Sequence, residues 1–461
     1  MILPHRVPGL LRRAVRIGLP ISVANFVVAA SQMVELLIVG RHLGTDAFGG
    51  VSLAATFTLV LVLAFYSLQI AVQAVVSRRH GARDHGAAGA ALNTALAIGA
   101  GCGAAVFLVF QLLGPEVFVA ERAEISTLAF QYFRWRLPSI PMLVLILSIV
   151  GFFNGIGRPD VTLRVYAPVL VAHLAMVWAF TGGLGAEHSL GVRGAGLAST
   201  LSTAMGLGLF LWHLARPALR ERYGLLRFRT GVTAQAARSI VAIGLPIFFQ
   251  QILGNFSIYL FQVIAAQVPD HAATLVATNI ALLFINISTL PGLGFGTAAA
   301  TMAGQALGAG QPARADAAVR LCWLLGACWM FALGAFYALG GEWIASQFLA
   351  RAGDPRVTAE QHATVLALSS TFFLIAGLQQ FFDSFNTILG KALQGLGLTR
   401  FVLTRNMVSQ WGFFLPVAYI LALPMGMGGT GAWLGMMGYL ALNAAMFLHR
   451  FLSGKWKTHK V

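Results

Sequence analysis

The sequence predicts an all-α membrane protein: twelve transmembrane helices in two pseudo-symmetric six-helix bundles around a central cleft. Three observations carry this expectation. Of 461 residues, 58% are hydrophobic and only 10% are charged, whereas a soluble domain carries about 25% charge. Apolar stretches of about 20 residues, the length that crosses a hydrocarbon core, recur from one end of the chain to the other. Landmarks of the first half also return, in the same order, in the second.

The stretches run at 15–40, 49–77, 87–113, 126–153, 162–181, 191–214, 236–267, 272–303, 315–340, 363–391, 402–423 and 430–451. The first follows a basic segment and mimics a secretory signal, but it is too long and has an internal counterpart, so it reads as a retained helix. Its Ile17-Gly-Leu-Pro20-Ile returns as Ile243-Gly-Leu-Pro246-Ile in the seventh, 226 residues on. Gly81-Ala82 closes the second span and Gly308-Ala309 the eighth, at an offset of 227. Asn154-Gly-Ile-Gly157 closes the fourth and Gln394-Gly-Leu-Gly397 the tenth, at 240. Gly191-Val-Arg-Gly194-Ala-Gly196 opens the sixth and Gly426-Met-Gly-Gly429-Thr-Gly431 the twelfth, at 235. Near-constant offsets imply a duplicated six-helix unit, and an even helix count gives both copies the same topology. The expected domains are therefore residues 1–225 and 226–461, joined by the Arg-rich stretch 216–238. Pro20, Pro138, Pro141, Pro246, Pro291 and Pro416 fall inside spans, where proline removes a backbone hydrogen bond and bends a helix. Gly151-x-x-x-Gly155 and Gly431-x-x-x-Gly435 suit close helix packing.

The formal net charge of +16 would suit nucleic acid, but its distribution excludes that class. If the amino terminus is cytoplasmic, the inner segments, beginning with Arg6, Arg12, Arg13 and Arg16, sum to +20, and the outer connections to −4. This is the positive-inside pattern, with both termini cytoplasmic. Arg134 and Arg136, near the outer end of the fourth span, are expected to be held by outer headgroups; a cavity-facing arginine would admit anionic or zwitterionic substrates. Cys102, Cys322 and Cys328 form no CxxC and read as small buried residues. Neither Gly390-Lys391 nor Gly454-Lys455 is followed by Ser or Thr, so no P-loop is present, and HExxH and GxSxG are also missing. Enzyme chemistry is not expected, and neither is a cofactor.

Polar side chains in the spans line up at helical spacing. The first span carries Asn25, Gln32 and Glu35; the second Tyr66, Gln69 and Gln73; the seventh Gln251, Asn255, Tyr259 and Gln262. The eighth carries Asn279 and Asn286, and the tenth Gln379, Asp383 and Asn386. Each set occupies one helix face. Single amides often serve only to bond helices together, but five such stripes point to a wet cleft. Glu35 and Asp383 alone of the fifteen acidic residues lie well inside spans; the other thirteen cluster at span ends and in loops. An intramembrane acid is costly and marks a functional site by default. One in each half points to coupling with an ion gradient, with an organic cation and a proton or Na⁺ exchanging at the carboxylate. His173 is the one histidine deep in a span, either a satisfied core residue or a third coupling group. Lys391 is near an inner helix end, where snorkelling suffices.

Over essentially its full length the chain resembles the multidrug and toxic compound extrusion (MATE) family. The resemblance rests on Pro20 followed by Glu35-Leu-Leu-Ile-Val-Gly40 and Leu43-Gly44, then Val51-Ser-Leu-Ala54 and Asn154-Gly-Ile-Gly157. It continues in Gly194-Ala-Gly-Leu-Ala-Ser-Thr200, Gly304-Gln-Ala-Leu-Gly308-Ala-Gly310, Leu393-Gln-Gly-Leu-Gly397, and Trp411 through Pro416-Val-Ala-Tyr419. It implies H⁺- or Na⁺-driven antiport of amphipathic, often cationic compounds by a multi-pass protein of the bacterial inner membrane, working as a monomer. Glu35 falls where the family usually has an aspartate, and Asp383 at its helix-10 acid. The chain departs from one large branch at Asn255 or Gly254, in place of a helix-7 glutamate, and at Gln379, in place of a tyrosine. His173 stands near a family asparagine, and an aspartate one turn later is apolar here. These departures favour protons over Na⁺, leaving a Na⁺ site near Asp383 as the metal alternative. The rival readings are a dedicated exporter of an endogenous metabolite, a lipid-linked oligosaccharide flippase of the same superfamily, and, from another class, a channel or non-transporting membrane scaffold.

Overall fold

The computed structural model describes residues 8–118, 122–227, 231–352 and 359–457, so Arg6 lies outside the described residues. Among them every regular element is helical. The helix Pro8–Gly81 is broken at Gly44, whose φ of 85° and ψ of −178° only glycine adopts freely, giving α1 (8–43) and α2 (45–81). Next come α3 (His85–Gln111) and α4, formed by Ala123–Arg136 and Ser139–Gly155 with a 54° bend between them. Pro138 at the bend explains it, because its ring blocks the backbone bond a straight helix would make there. α5 (Asp160–Trp178) ends in a π-turn at Ala179–Gly183, and α6 is Gly191–Ala215. A linker helix, Pro217–Tyr223, leads to α7 (Ala234–Ala265), α8 (His271–Gly308) and α9 (Pro312–Ala352). α10 (Ala359–Ser384) continues through a π-turn at Phe385–Leu389 to Gly390–Gly395. α11 runs from Thr399 to Ala422 through another π-turn, Val408–Phe414, and α12 is Gly428–Leu452.

Nine of the described helices are long and apolar enough to cross a membrane, ten with the bent α4 counted as one span. The break at Gly44 makes two spans of one such helix, and α11, divided by its π-turn, completes the twelve helices expected.

The chain forms two compact units, and they do not divide at 225/226. The N unit comprises Val23–Phe248 with Gly304–Gln311; the C unit comprises the chain up to Ser22, Phe249–Ala303 and everything from Pro312. Packing explains the departure from the expected boundary. Leu225, Ile240, Ile243 and Ile247 share the N-unit core with Val72, Val76, Leu92, Phe152 and Phe153, so the start of α7 belongs to that core. The end of α8 belongs there too: Gln305 Nε2 donates to the Gly155 carbonyl at 2.7 Å.

Within the N unit Phe57 meets Phe110, Phe118 and Phe133 edge to face at centroid distances of 5.4–5.5 Å, the arrangement aromatic quadrupoles favour. The C unit is built around Phe261, Phe372, Phe414 and Trp433. The two glycine pairs singled out in the sequence sit where helices touch. A Cβ at Gly151 would stand 2.4 Å from the Gln69 carbonyl, and one at Gly435 2.7 Å from the Ala418 backbone. Such close backbone approach is how small residues let membrane helices pack.

Candidate functional site

The N unit gathers polar groups from three helices around Glu35 of α1, which is 3% exposed. Tyr132 on α4 donates its hydroxyl to Glu35 Oε1 at 2.8 Å, and Ser199 on α6 donates to the same oxygen at 3.2 Å. His173 Nε2 on α5 lies 3.2 Å from Oε2, and the Arg136 guanidinium 3.7 Å from it. Arg136 also donates to the Tyr132 and Ser199 hydroxyl oxygens. On its other side His173 Nδ1 meets Ser202 Oγ at 3.1 Å. The helices explain the convergence. Tyr132 and Arg136 are one turn apart on α4, just before its bend, and Ser199, Ser202 and Thr203 share one face of α6. The carboxylate is thus fully hydrogen-bonded and paired with a cation, the condition on which a buried charge is tolerated.

This cluster forms one end of a cavity of about 230 Å³ within the N unit. Gln32, Glu35, Arg136, His173, Ser199 and Ser202 supply its polar wall, and Val28, Leu59, Leu143, Ile146, Val169 and Leu170 part of its apolar one. A concave, largely apolar space with a few convergent polar groups is the usual form of a small-molecule site.

The placement of Arg136 corrects a sequence expectation. Arg134 is exposed, but Arg136 is not held by headgroups: its side chain is 13% exposed and paired with Glu35. The two arginines differ because their spacing of two residues turns them to opposite sides of α4. Tyr132, Ser199 and Ser202 were not among the expected site residues, and Arg136 was named only with the headgroups as its expected partners. The signal available was the Tyr132/Arg136 spacing together with the clustered hydroxyls of α6.

Of the other expected cleft residues of the N unit, Gln32 lines the cavity and Asn25 is half-buried outside its lining. Gln69 and Gln73 are buried, and Tyr66 is hydrogen-bonded with Gln69 one turn on.

In the C unit, Asp383 is half-buried on α10. Its carboxylate accepts from Thr387 at 3.2 Å and from Thr289 on α8 at 3.4 Å. Among the described residues no Lys, Arg or His forms an ion pair with it. Gln379 is buried, with its amide nitrogen unpartnered. Asn386 donates to the Leu440 carbonyl of α12 at 2.9 Å, the bonding of helix to helix that competes with a cleft role. Asn255, Tyr259, Asn279 and Asn286 are exposed, and Gln251 is half-buried. Asn255 and Asn286 donate to carbonyls of their own helices, Gln251 and Leu282, at 2.8 and 2.9 Å. Among the described residues no three His, Cys, Asp or Glu side chains cluster as a metal site.

Twelve helices among the described residues, with a carboxylate buried in the N unit and another half-buried in the C unit, define a polytopic membrane transporter. The MatE family model matches residues 20–179 and 246–420, and the chain belongs to that family. It is 28% identical over 444 residues to the probable multidrug resistance protein NorM of Bradyrhizobium diazoefficiens, covering 95% of this chain and 92% of that one. It is 26% identical over 465 residues to the multidrug resistance protein NorM of Burkholderia vietnamiensis, covering 96% and 95%. Among solved structures it superposes on a MOP superfamily transporter from Pyrococcus furiosus with a TM-score of 0.86 at 18% identity, over 98% and 97% of the two chains. It also superposes on the eukaryotic MATE transporter AtDTX14 with a TM-score of 0.83 at 17% identity, over 97% of each.

Proposed function

We propose that the protein is a secondary-active efflux transporter of the bacterial inner membrane. It exchanges protons, rather than Na⁺, for amphipathic, cationic small molecules such as drugs. The monomer is the working unit, with both termini cytoplasmic, and no cofactor is needed. The observation that carries this reading is the Glu35–His173–Arg136 cluster opening on an apolar-walled cavity. A buried acid beside an imidazole offers a place to bind and release a proton. The carboxylate oxygens of Glu35 are already occupied by O–H and N–H donors, which leaves poor coordination for Na⁺.

The two acids take different parts. Glu35 is neutralised by Arg136, so it offers little to a second cation, whereas Asp383 has only hydroxyl partners. The organic cation is therefore assigned to Asp383 and the proton to the N unit. Differential affinity of the two ligands for outward- and inward-facing states then converts the gradient into export. The similarity to proteins named for multidrug resistance supports drugs as cargo.

The test is ethidium efflux from vesicles under an imposed pH or Na⁺ gradient. An inward proton gradient should drive efflux in the wild type and a Na⁺ gradient should not. Unchanged efflux in both Glu35→Gln and Asp383→Asn would defeat the assignment.

A further inference from the structure

Arg136 decides how every hydrogen in the N-unit cluster points. A guanidinium can only donate. The Tyr132 and Ser199 oxygens both accept from it, so both hydroxyls turn their hydrogens to Glu35 Oε1. Oε1 thus receives two O–H donors, while Oε2 faces His173 Nε2 at 3.2 Å and Arg136 at 3.7 Å. The two hydroxyls donate to this carboxylate, the guanidinium pairs with it by charge, and His173 donates to it in the tautomer that carries hydrogen on Nε2. A proton placed on it would have to break into that set, so the arrangement holds Glu35 as an anion.

His173 is placed differently. Nε2 faces the carboxylate and needs its hydrogen, which leaves Nδ1 as the position that can gain or lose one. Nδ1 faces Ser202 Oγ at 3.1 Å. That hydroxyl has a second option, because Ser202 also reaches the Ser199 carbonyl at 3.1 Å. When Nδ1 is bare, Ser202 can turn its hydrogen to the ring. When Nδ1 is protonated, Ser202 accepts from it and donates to the Ser199 carbonyl. That carbonyl is satisfied in either case, since Thr203 donates to it at 2.7 Å. Both states of the imidazole are therefore fully hydrogen-bonded, with only a hydroxyl rotation between them.

We propose that the exchanged proton is carried on Nδ1 of His173, with Ser202 as its switching partner, while Glu35 remains a fixed anion locked by Arg136. The inference rests on the proton-coupled reading above and names the atom that holds the proton. Loading takes the Glu35–Arg136–His173 group from neutral to one net positive charge. The charged and titratable groups facing the ring are Glu35 from α1, Tyr132 and Arg136 from α4, and Tyr166 two turns away on α5, which lines the same cavity. α6 contributes hydroxyls, and α2 presents Thr58, Leu59 and Val62.

The test separates driven from undriven movement of ethidium in proteoliposomes of the full chain. His173→Gln should lower efflux against a gradient, driven by an inward proton gradient, by about tenfold or more. Exchange of ethidium down its own gradient, with no pH difference, should fall by a smaller factor, because the organic cation is assigned to Asp383. Driven efflux at the wild-type level in His173→Gln would overturn this proposal and leave the antiport reading intact. Failure of the wild type to respond to a proton gradient would overturn both. A spectroscopic comparison guards against a loss of efflux that has another cause. Infrared difference spectra on mild acidification should show no protonated-carboxyl band beyond those that Asp383→Asn removes. A band that survives in Asp383→Asn and vanishes in Glu35→Gln would place the proton on Glu35 and overturn the assignment.

Discussion

The Arg136 guanidinium stands 3.7 Å from the Glu35 carboxylate, with side-chain exposures of 13% and 5%. Removing one member of such a pair leaves the other charge buried without a partner, which costs about 3–5 kcal/mol. Arg136→Met should therefore lower stability by roughly 3 kcal/mol. Glu35→Gln, which keeps the shape and loses the charge, should also destabilise. The double variant should be more stable than the sum of the two losses allows. Thermal unfolding in detergent of the four proteins of this cycle measures the coupling; strict additivity would mean that the pair is not a unit.

Asp383 presents a simpler environment, with Thr387 and Thr289 as its hydrogen-bond donors. Asp383→Asn should reduce ethidium affinity by about tenfold or more, because the charge that attracts the cation is lost. Thr387→Val should have a smaller effect, about 1 kcal/mol, the scale of one hydrogen bond. Fluorescence titration of ethidium against the purified protein reads both, and wild-type affinity in Asp383→Asn would refute its role.

Much of this was legible in the sequence, for physical reasons. Bilayer thickness forces span length, so the twelve helices could be counted from apolar runs, although Gly44 and the π-turns of α5, α10 and α11 gave no such signal. The cost of an intramembrane acid made Glu35 and Asp383 visible. Arg136 was misplaced because depth along a helix says nothing about which side a residue faces. That depends on the bend at Pro138 and on what α6 sets opposite. A repeat offset reports duplication, whereas compactness follows contacts, so the repeats and the compact units are divided at different places. The linker shows the difference: it lies between the repeats in sequence, but its described residues fall in the N unit.

Asn93 holds that linker in place. Its amide nitrogen donates to the Gly224 carbonyl at 2.9 Å and its oxygen accepts from Leu226 N–H at 2.9 Å. Asn93→Ala should weaken docking by about 1–3 kcal/mol, since a partly buried backbone donor and acceptor both lose their partner. Gly89→Ala should act more severely, because a Cβ there would fall 1.6 Å from the Tyr223 carbonyl and force the linker away. Limited trypsin digestion in detergent provides the measurement, through faster cleavage at Arg220, Arg222 and Arg227. Unchanged cleavage in Gly89→Ala would show that the linker is not seated as described.

Tyr223 makes the docking of the linker sensitive to alkali. The side chain is 3% exposed, hydrogen-bonded to His80 Nδ1 at 3.0 Å and packed edge-on against Phe152 at 5.3 Å. Burial pushes its phenol above the ordinary value of 10, and nearby Arg222 and Arg158 pull it only partly back. A group whose folded-state value is raised contributes its stability below the unfolded value and loses it as pH rises. Tyr223 should therefore add no pH dependence to docking up to about 10, the ordinary tyrosine value, and should weaken it above as the phenolate forms. Tyr223→Phe removes the titrating group while keeping the ring against Phe152, so the variant should lose this alkaline transition. The ultraviolet phenolate signal assigned by difference to Tyr223, followed together with trypsin cleavage, checks both halves. If cleavage accelerates at the same pH in the wild type and in Tyr223→Phe, the transition belongs to another group.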